Sequence, residues 1–176
     1  IDGWMLVPSG IPQMELKEQR LSRVRKSEGV SIPAGFPAKK ASVYITPHTS
    51  ITILLDQSFL TNAYPALIFS GGKNAEISLS YTEALFAEHS AKGNRNDVDG
   101  KTFIGRTDNI ISDGTRDQVF TSLWWRTYRY IELKVSTKYE PLTIDDIYGT
   151  FTGYPFEYKA KLESENPELT KMLDIG

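Results

Sequence analysis

The side chains with the greatest capacity for chemistry lie together at Trp124-Trp125-Arg126. Aromatic rings stack on the faces of sugar rings, and a guanidinium donates paired hydrogen bonds to hydroxyl or carboxylate oxygens. The triplet is therefore consistent with a sugar-binding site. The alternative is structural: one tryptophan fills a hydrophobic core and the other packs against a neighbouring domain. The residue types alone favour this structural interpretation.

A polar stretch over residues 91–100 adds a second group of candidates. Its glycines and asparagines predict a long surface loop, and loops at the end of a rigid scaffold often carry binding residues. The alternative is a loop that contacts only solvent. The side chains that we expect to contact either a sugar or an adjoining domain are Lys92, Asn94, Arg95, Trp124, Trp125 and Arg126.

The acidic residues do not form a recognisable catalytic pair. Asp145-Asp146 lies between two isoleucines, which favours a turn or a solvated strand edge over a metal or acid–base site. Glu76 and Glu83 are seven residues apart, so that on a regular strand they face opposite sides. Glycoside hydrolysis needs two carboxyl groups about 5–10 Å apart at one bond. We therefore assign no catalytic residue.

The sequence predicts no metal site and no cofactor. Asp97, Asp99 and Gly100 lack the spacing and the final glutamate of a calcium loop. Cysteine is absent, which excludes disulfides, thiolate zinc sites, iron–sulfur clusters and cysteine nucleophiles. The two histidines are far apart: we expect His48 at a bend and His89 on the surface.

Composition limits the classes of partner. The 176 residues carry 20 Lys+Arg against 22 Asp+Glu, and this net charge of −2 argues against nucleic acid or an anionic membrane, which bind through a basic field. No apolar run approaches the roughly 20 residues that cross a bilayer. The length and the 40% hydrophobic content are typical of one globular domain.

Alternation of hydrophobic and polar residues predicts strands. Ile51–Leu55 and Tyr128–Val135 alternate with period two, and Tyr64–Ser70 is a continuous apolar run that begins after Asn62. Ser70–Lys73, which contains two glycines, predicts a hairpin turn. Because no crossover helices separate the strands, we predict an all-β fold. Its architecture would be an antiparallel two-sheet β-sandwich of jelly-roll type with a short C-terminal helix.

Three regions follow from this pattern. Residues 1–40 form an extended N-terminal segment and connection. The charge-rich stretch Leu16–Lys26 is consistent with a short helix or with a strand that has a solvated face, but we favour an exposed connection, because glycines and prolines follow at once. Residues 41–163 form the sandwich core. Residues 164–176 begin a linker helix, with Ser164 or Asn166 as its N-cap. Since the chain starts without methionine and ends just after a helix begins, we expect a piece of a longer protein.

A series of short strings runs in order from about Gly3 to the C-terminus. They are Leu55-Asp56-Gln57, Thr61-Asn62-Ala63-Tyr64-Pro65, Ser70-Gly71-Gly72, Tyr81-Thr82-Glu83-Ala84-Leu85, Lys92-Gly93-Asn94-Arg95, Asp113-Gly114, Trp124-Trp125-Arg126-Thr127-Tyr128-Arg129-Tyr130-Ile131-Glu132-Leu133, Pro141-Leu142-Thr143-Ile144 and Phe151-Thr152-Gly153-Tyr154-Pro155-Phe156. In this order and spacing, the strings resemble the bacterial α-L-rhamnosidase family of glycoside hydrolases.

The resemblance implies a β-sandwich domain that lies immediately before an α/α-barrel catalytic domain. In the family, the barrel supplies the general acid and the base for inverting cleavage of terminal rhamnose. Residues 164–176 would then lead into the first barrel helix, and the missing barrel would be the main partner. The barrel's catalytic motifs have no counterpart in this sequence, so no catalytic residue is carried over. For the parent protein we favour a periplasmic or secreted location.

Two functions remain open, and a third, an independent hydrolase, lacks an acid pair. In the first, the sandwich supports the catalytic barrel, and the isolated domain exposes an apolar patch containing Trp124, Trp125 and Phe156 through which it dimerises. In the second, it is a carbohydrate-binding module for rhamnose-containing glycans. We favour the supporting role, because a fold alone does not define a binding site.

Overall fold

The computed structural model describes residues 3, 5–87, 91–157, 159 and 161–175. Glu15–Gly153 forms one compact unit, and the described residues of Ile1–Met14 and Tyr154–Gly176 form a second. The elements of this described part are β1 Glu15–Gln19, β2 Arg23–Glu28, β3 Val43–Ile45, β4 Ser50–Gly71, β5 Glu76–Thr82, β6 Arg106–Ile111, β7 Gln118–Thr121, β8 Arg126–Ser136, β9 Leu142–Gly153 and α1 Pro167–Ile175.

The strands of the larger unit form two antiparallel layers that share β4. In the first layer the order is β2, the first half of β4, β8, β5 and β6. In the second layer, β7 and β9 flank the second half of β4, and β1 and β3 pair with the far edge of β9. The prediction of an all-β antiparallel sandwich is confirmed.

The main hydrophobic core contains side chains from both layers. Ile51, Ile53 and Leu55 are buried in the first layer and belong to one cluster with Leu67 and Ile144 of the second. Because successive residues of a strand point to opposite faces, every second residue of Ile51–Leu55 enters this core. The alternation predicted at Ile51–Leu55 is therefore confirmed. Full burial of one such side chain contributes about 1.5–3 kcal/mol.

A smaller hydrophobic cluster lies on the outer face of the first layer. Leu54 of β4 and Tyr130 of β8 point away from the main core and contact Leu85 and Val98 from the connection between β5 and β6. Phe103 packs against the same cluster. This cluster attaches the long connection to the sheet, so that the connection has a fixed position above it.

Strands β1 and β2 correct the interpretation of Leu16–Lys26 as an exposed connection. β1 pairs with β9, and β2 pairs with β4. Between the two strands, Leu21 is fully buried in the main core. Most other side chains of these two strands are exposed, and the charged ones therefore contact solvent although the backbones are paired. The favoured interpretation, an exposed connection, is therefore wrong, whereas the alternative of a strand with a solvated face agrees with the structure.

The predicted boundary near Asn62 is also wrong, because β4 is one strand of 22 residues. Its register shifts between Asp56 and Thr61, where Ser58 adopts a φ of 75°. The strand passes from one layer to the other at this irregularity. A β-bulge of this kind bends a strand without ending it.

The turn after β4 is confirmed, but the prediction of a hairpin is wrong. The N–H of Ala75 donates to the carbonyl of Gly72 at 2.8 Å, which closes the turn. Gly72 has a φ of 64°, and a Cβ there would lie 2.6 Å from the Cβ of Leu142, so glycine is required. The following strand β5 pairs with β8 and β6 in the other layer. The turn therefore connects the two layers.

The short C-terminal helix is confirmed, and Asn166 is its N-cap. The Asn166 Oδ1 accepts a hydrogen bond from the N–H of Glu168 at 3.0 Å, and Pro167 occupies the first helical position. In the part of the chain that the structure describes, no helix combines the length and the apolar character needed to cross a membrane.

Candidate functional site

A cleft of ≈ 530 Å³ lies where β5 ends and where β6 and β8 begin. Four of the six predicted site residues line it: Lys92, Trp124, Trp125 and Arg126. Side chains that are 32 or more positions apart in sequence therefore meet at one place. The described residues that line it are Tyr81, Thr82, Glu83, Phe86, Lys92, Ile104, Gly105, Arg106, Trp124, Trp125, Arg126 and Thr127.

The backbone at the cleft depends on a close approach at Gly105. A Cβ at this position would overlap the carbonyl oxygen of Tyr81. The next residue, Arg106, is the register partner of Tyr81 between β6 and β5. The absence of a side chain at Gly105 therefore lets the chain enter β6 close to β5 and places Arg106 in the wall of the cleft.

The two tryptophans form one aromatic surface. Their ring centroids are 4.4 Å apart with planes 28° apart, which is a stacked arrangement. Tyr64 meets Trp125 edge-on at 6.5 Å. Trp124 is 62% exposed and Trp125 is half-buried, so neither fills the main core as the structural interpretation required. The exposed face is of the kind on which a sugar ring stacks.

Hydrogen bonds hold the backbone of Trp124 in place. Its carbonyl accepts from the Ser122 Oγ at 2.8 Å and from the Arg126 Nη1 at 3.1 Å. Arg126 therefore fixes the tryptophan in addition to lining the cleft.

Arg126 is itself oriented by a two-pronged ion pair with Asp108 of β6. The Arg126 Nη2 lies 2.7 Å from Oδ1 of Asp108, and Nε lies 3.1 Å from Oδ2. The hydrogen bond to Asp108 raises the pKa of Arg126 above its usual value. The guanidinium also lies over the ring of Tyr81 at 5.7 Å from the centroid. Burial, with the Asp108 carboxylate nearby, raises the pKa of Tyr81, so this phenol stays protonated.

Lys92 forms a second ion pair at the cleft, with Glu83. Its Nζ is 3.1 Å from the Glu83 Oε2 and 5.8 Å from the ring centroid of Phe86. Both members of the ion pair are partly exposed at the cleft. The pair therefore presents a cation and a carboxylate to any ligand that enters.

Asn94 and Arg95 are not among the described residues that line the cleft. The Asn94 Oδ1 accepts from the N–H of Asn96 at 2.9 Å, and its carbonyl accepts from Lys101 at 2.8 Å. The carbonyl of Arg95 accepts from the Oη of Tyr130 at 2.7 Å. The described contacts of both residues are therefore hydrogen bonds that hold the loop together. Their predicted ligand contacts stay predictions.

Strand β2 supplies two further anchors for this loop. Arg25 Nη2 donates to the carbonyl of Asn96 at 3.1 Å, and Lys26 donates to the carbonyl of Val98 at 3.3 Å. Lys26 also forms an ion pair with Asp99 at 2.9 Å. The loop that carries Lys92 is thus attached to the outer face of the first layer through side chains of β2 and β8.

Arg25, which holds the loop, also contacts the carboxylate of Asp56, and this carboxylate is fully buried. It accepts from the N–H of Ser58 and from the guanidinium groups of Arg23, Arg25 and Arg129. Burial alone raises the pKa of Asp56, but these hydrogen bonds together outweigh it, so the pKa lies below its usual value. The carboxylate is therefore ionised and joins β2, β4 and β8.

The remaining acidic candidates lie elsewhere and have separate partners. Asp145 accepts from the Ser70 Oγ at 2.6 Å. Asp146 is buried and forms a two-pronged ion pair with Arg20 at 2.7 and 2.9 Å. Both lie inside β9, so the predicted turn is wrong; Asp146 is buried rather than solvated, whereas Asp145 is partly exposed. Glu76 pairs with Lys138 at 2.8 Å.

The two histidines have different outcomes. The backbone of His48 lies in a turn with a φ of 54°, and its ring meets Tyr139 edge-on at 5.1 Å. The bend predicted there is confirmed. His89 lies outside the described residues. Over the described ranges, no three His, Asp or Glu side chains are grouped in a way that could hold a metal ion.

Sequence reasoning did not select Tyr81, Gly105 or Arg106 as site residues, and it considered Glu83 only as a catalytic acid. Tyr81 and Glu83 belong to one of the strings that carry the family resemblance, but that string assigned them no role, and Gly105 and Arg106 belong to none of the strings. Arg106 and Tyr81 become neighbours only through the antiparallel register of β5 and β6. Only the pairing of β5 with β6 would have identified Arg106 as a neighbour of Tyr81.

Comparison with known proteins supports the fold. No family model and no curated protein matches the sequence. Among solved structures, a rhamnosidase from Klebsiella oxytoca with rhamnose bound matches 90% of the chain with a TM-score of 0.60 and 11% identity. The GH78 family rhamnosidase of Bacillus sp. GL1 matches 67% of the chain with a TM-score of 0.50 and 15% identity.

These matches cover a minor part of each rhamnosidase. The chain spans 33% of the Klebsiella oxytoca protein and 11% of the Bacillus protein. At this identity the comparison shows a shared fold. The chain therefore shares the fold of one part of each of these two larger rhamnosidases.

Proposed function

We propose that the chain is a non-catalytic β-sandwich domain of an α-L-rhamnosidase-type glycoside hydrolase. Its role would be to support a catalytic domain that hydrolyses terminal α-L-rhamnose. One observation carries the proposal: 90% of the chain matches one third of a rhamnosidase, at a TM-score of 0.60. Asp145 accepts a hydrogen bond from Ser70, and Asp146 forms an ion pair with Arg20, which agrees with a supporting role.

The partner in this proposal is an α/α-barrel domain of the same polypeptide. Residues 164–176 would form the linker helix that leads into it. Leu169, Met172 and Leu173 are spaced three and four positions apart on α1, so they share one face, and all three are exposed. Such an apolar face is suited to packing against a neighbouring helix.

The experiment compares two lengths of the polypeptide on a chromogenic α-L-rhamnoside. We expect no turnover by the 176-residue chain and turnover by a longer product that includes the gene sequence downstream of Gly176. Turnover by the 176-residue chain would overturn the non-catalytic assignment. A longer product that is folded but does not hydrolyse any rhamnoside would overturn the assignment to this type of enzyme.

The cleft favours a second function, carbohydrate binding. The exposed face of Trp124 lies in the same cleft as the hydrogen-bonding groups of Lys92, Glu83 and Arg126. Sugar-binding sites combine an aromatic stacking surface with a few polar groups that fix the orientation of the ring. As a carbohydrate-binding module, the domain would hold rhamnose-containing glycans near the catalytic domain.

Titration calorimetry with rhamnose and rhamnosides tests this second function. We expect saturable heat that is lost in Trp124→Ala and retained in Leu123→Ala. Leu123 is fully exposed and is not among the described residues that line the cleft, so it is a matched control. Absence of heat at millimolar sugar would overturn the carbohydrate-binding function, and the supporting role would be the one that remains.

A further inference from the structure

The charges at the cleft are unequal. Its lining contains three basic side chains, Lys92, Arg106 and Arg126, and one acidic side chain, Glu83. Glu83 neutralises Lys92 at 3.1 Å. Asp108, behind the lining, neutralises Arg126 at 2.7 Å. Arg106 is the remaining charge.

The guanidinium of Arg106 has no hydrogen-bond or ion-pair partner among the residues that the structure describes. Its side chain is exposed, whereas Arg126 is partly buried by its ion pair. Arg106 stands at the first position of β6, where Gly105 and the pairing with Tyr81 fix its backbone. Within the described part of the chain, Arg106 is thus a guanidinium without a counter-charge at a defined place in the wall of the cleft.

A guanidinium that is available in this way favours an anionic group, and a carboxylate is the one that sugars carry without further modification. Its planar set of N–H groups matches the two oxygens of a carboxylate, and such charge-assisted hydrogen bonds are about twice as strong as neutral ones. The nearby aromatic surface of Trp124 selects the face of a sugar ring. A ligand that satisfies both groups is a sugar that carries a carboxylate, and a hexuronate is the simplest sugar of this kind.

We propose that the cleft binds a hexuronate-containing glycan, with the sugar ring on Trp124 and its carboxylate on Arg106. The proposal rests on the carbohydrate-binding function proposed above and adds the charge of the ligand. The cleft volume of ≈ 530 Å³ falls in the range of about 300–1,000 Å³ that is usual for small-ligand sites. Glu83 does not oppose the ligand with a full charge, because Lys92 is paired with it.

The test is titration calorimetry with digalacturonate and with its methyl ester, which has the same rings but no charge. We expect the acid to bind more tightly than the ester. In Arg106→Gln, binding of the acid should weaken by about 10- to 100-fold, the usual effect of losing a charged hydrogen-bond pair. Binding of the ester should be unchanged. Arg106→Lys should retain part of the affinity, because it keeps the charge but not the planar fork.

Two controls separate the cleft from general charge effects. Arg116→Gln removes one exposed arginine that is not part of the described lining, and it should leave both affinities unchanged. Trp124→Ala should abolish binding of acid and ester alike. If Arg106→Gln does not fold, Arg106→Lys takes its place: it keeps the charge but loses the planar fork, so binding of the acid should weaken and binding of the ester should not.

The outcomes distinguish this inference from the function on which it rests. Equal affinity for acid and ester, or an unchanged affinity of Arg106→Gln for the acid, overturns the hexuronate proposal and leaves carbohydrate binding intact. No binding of either sugar, together with no binding of rhamnosides, overturns both. Binding of the acid that survives Trp124→Ala places the site elsewhere and overturns the proposal.

Discussion

Asp56 and Arg129 are 73 positions apart, yet the Nε of Arg129 donates to the Asp56 Oδ1 at 3.2 Å inside the domain. Both side chains are almost completely buried. Asp56 lies in β4 just before the strand changes layers, and Arg129 lies in β8 beside it. The same carboxylate also accepts from Arg23 and Arg25 of β2. This one acidic side chain therefore links three strands.

Replacement of Asp56 by asparagine should destabilise the domain strongly. The amide keeps the shape but leaves the buried guanidinium of Arg129 without a counter-charge. Breaking a buried ion pair at one partner costs about 3–5 kcal/mol. We expect a loss of this size in the free energy of unfolding, measured by urea denaturation at pH 7. Asp99→Asn is the control, because the Asp99 carboxylate is exposed, and it should remain near wild-type stability.

The stability contributed by Asp56 should depend on pH in one direction. Its pKa in the folded domain is below the value of about 3.9 in an unfolded chain, so its contribution is complete above that value. The contribution is lost as the pH falls through the folded-state pKa. Between about pH 5 and pH 2, the unfolding free energy of the wild type should fall more steeply than that of Asp56→Asn. Parallel pH profiles would contradict this.

Gly105→Ala should damage the wall of the cleft. The added methyl would overlap the carbonyl oxygen of Tyr81, so β5 and β6 must separate there. Chemical-shift changes should concentrate at Tyr81 and Arg106, and the melting temperature should fall. Gly10→Ala is the matched control, since a Cβ at Gly10 would meet nothing within 4 Å. An unchanged spectrum of Gly105→Ala would show that the close approach is wrong.

Tyr130→Phe should loosen the loop that carries Lys92. The substitution removes the hydrogen bond from the Tyr130 Oη to the carbonyl of Arg95, which is 2.7 Å long. A loss of about 1 kcal/mol is expected for one such bond. Amide hydrogen exchange should accelerate in residues 94–98 and remain unchanged in β9. Tyr139→Phe, at an exposed tyrosine, should leave exchange in the loop unaltered.

The isolated chain should dimerise through exposed aromatic side chains. Trp124 is 62% exposed and Phe156 is 79% exposed, and exposed apolar surface of this kind favours association. Light scattering should show a dimer at high concentration that weakens in Trp124→Ser. A monomer that binds no hydrophobic dye would contradict the prediction, and Leu123→Ser tests whether any exposed apolar side chain has the same effect.

Much of the fold follows from local pattern, as the core strands show. The alternation at Ile51–Leu55 and Tyr128–Val135 correctly predicts which residues face the main core, although Leu54 and Tyr130 on the opposite face are buried as well. Asn166 before Pro167 correctly predicts where α1 begins. Leu16–Lys26 was misread because its two edge strands bury little, and burial is what generates the alternation. Pattern therefore predicts a strand best where one of its faces is fully covered.

The candidate site was predicted in part. The sequence suggested Trp124, Trp125 and Arg126 as a group because these residues are adjacent, and the structure adds Lys92 to the same cleft. It did not suggest Arg106, whose significance depends on strand pairing and on the partners of its neighbours. Asn94 and Arg95 share a loop with Lys92 but direct backbone carbonyls to Lys101 and Tyr130.

By itself, the sequence determined the class of fold, the buried face of the main strands and the aromatic cluster, because each depends on residues close together in the chain. Only the tertiary structure decided that β4 serves both layers, that Arg126 is paired with Asp108 and that Arg106 lies in the cleft. These features depend on register and on contacts between distant strands. Local alternation says which face of a strand is buried, but it does not say which strand lies beside it.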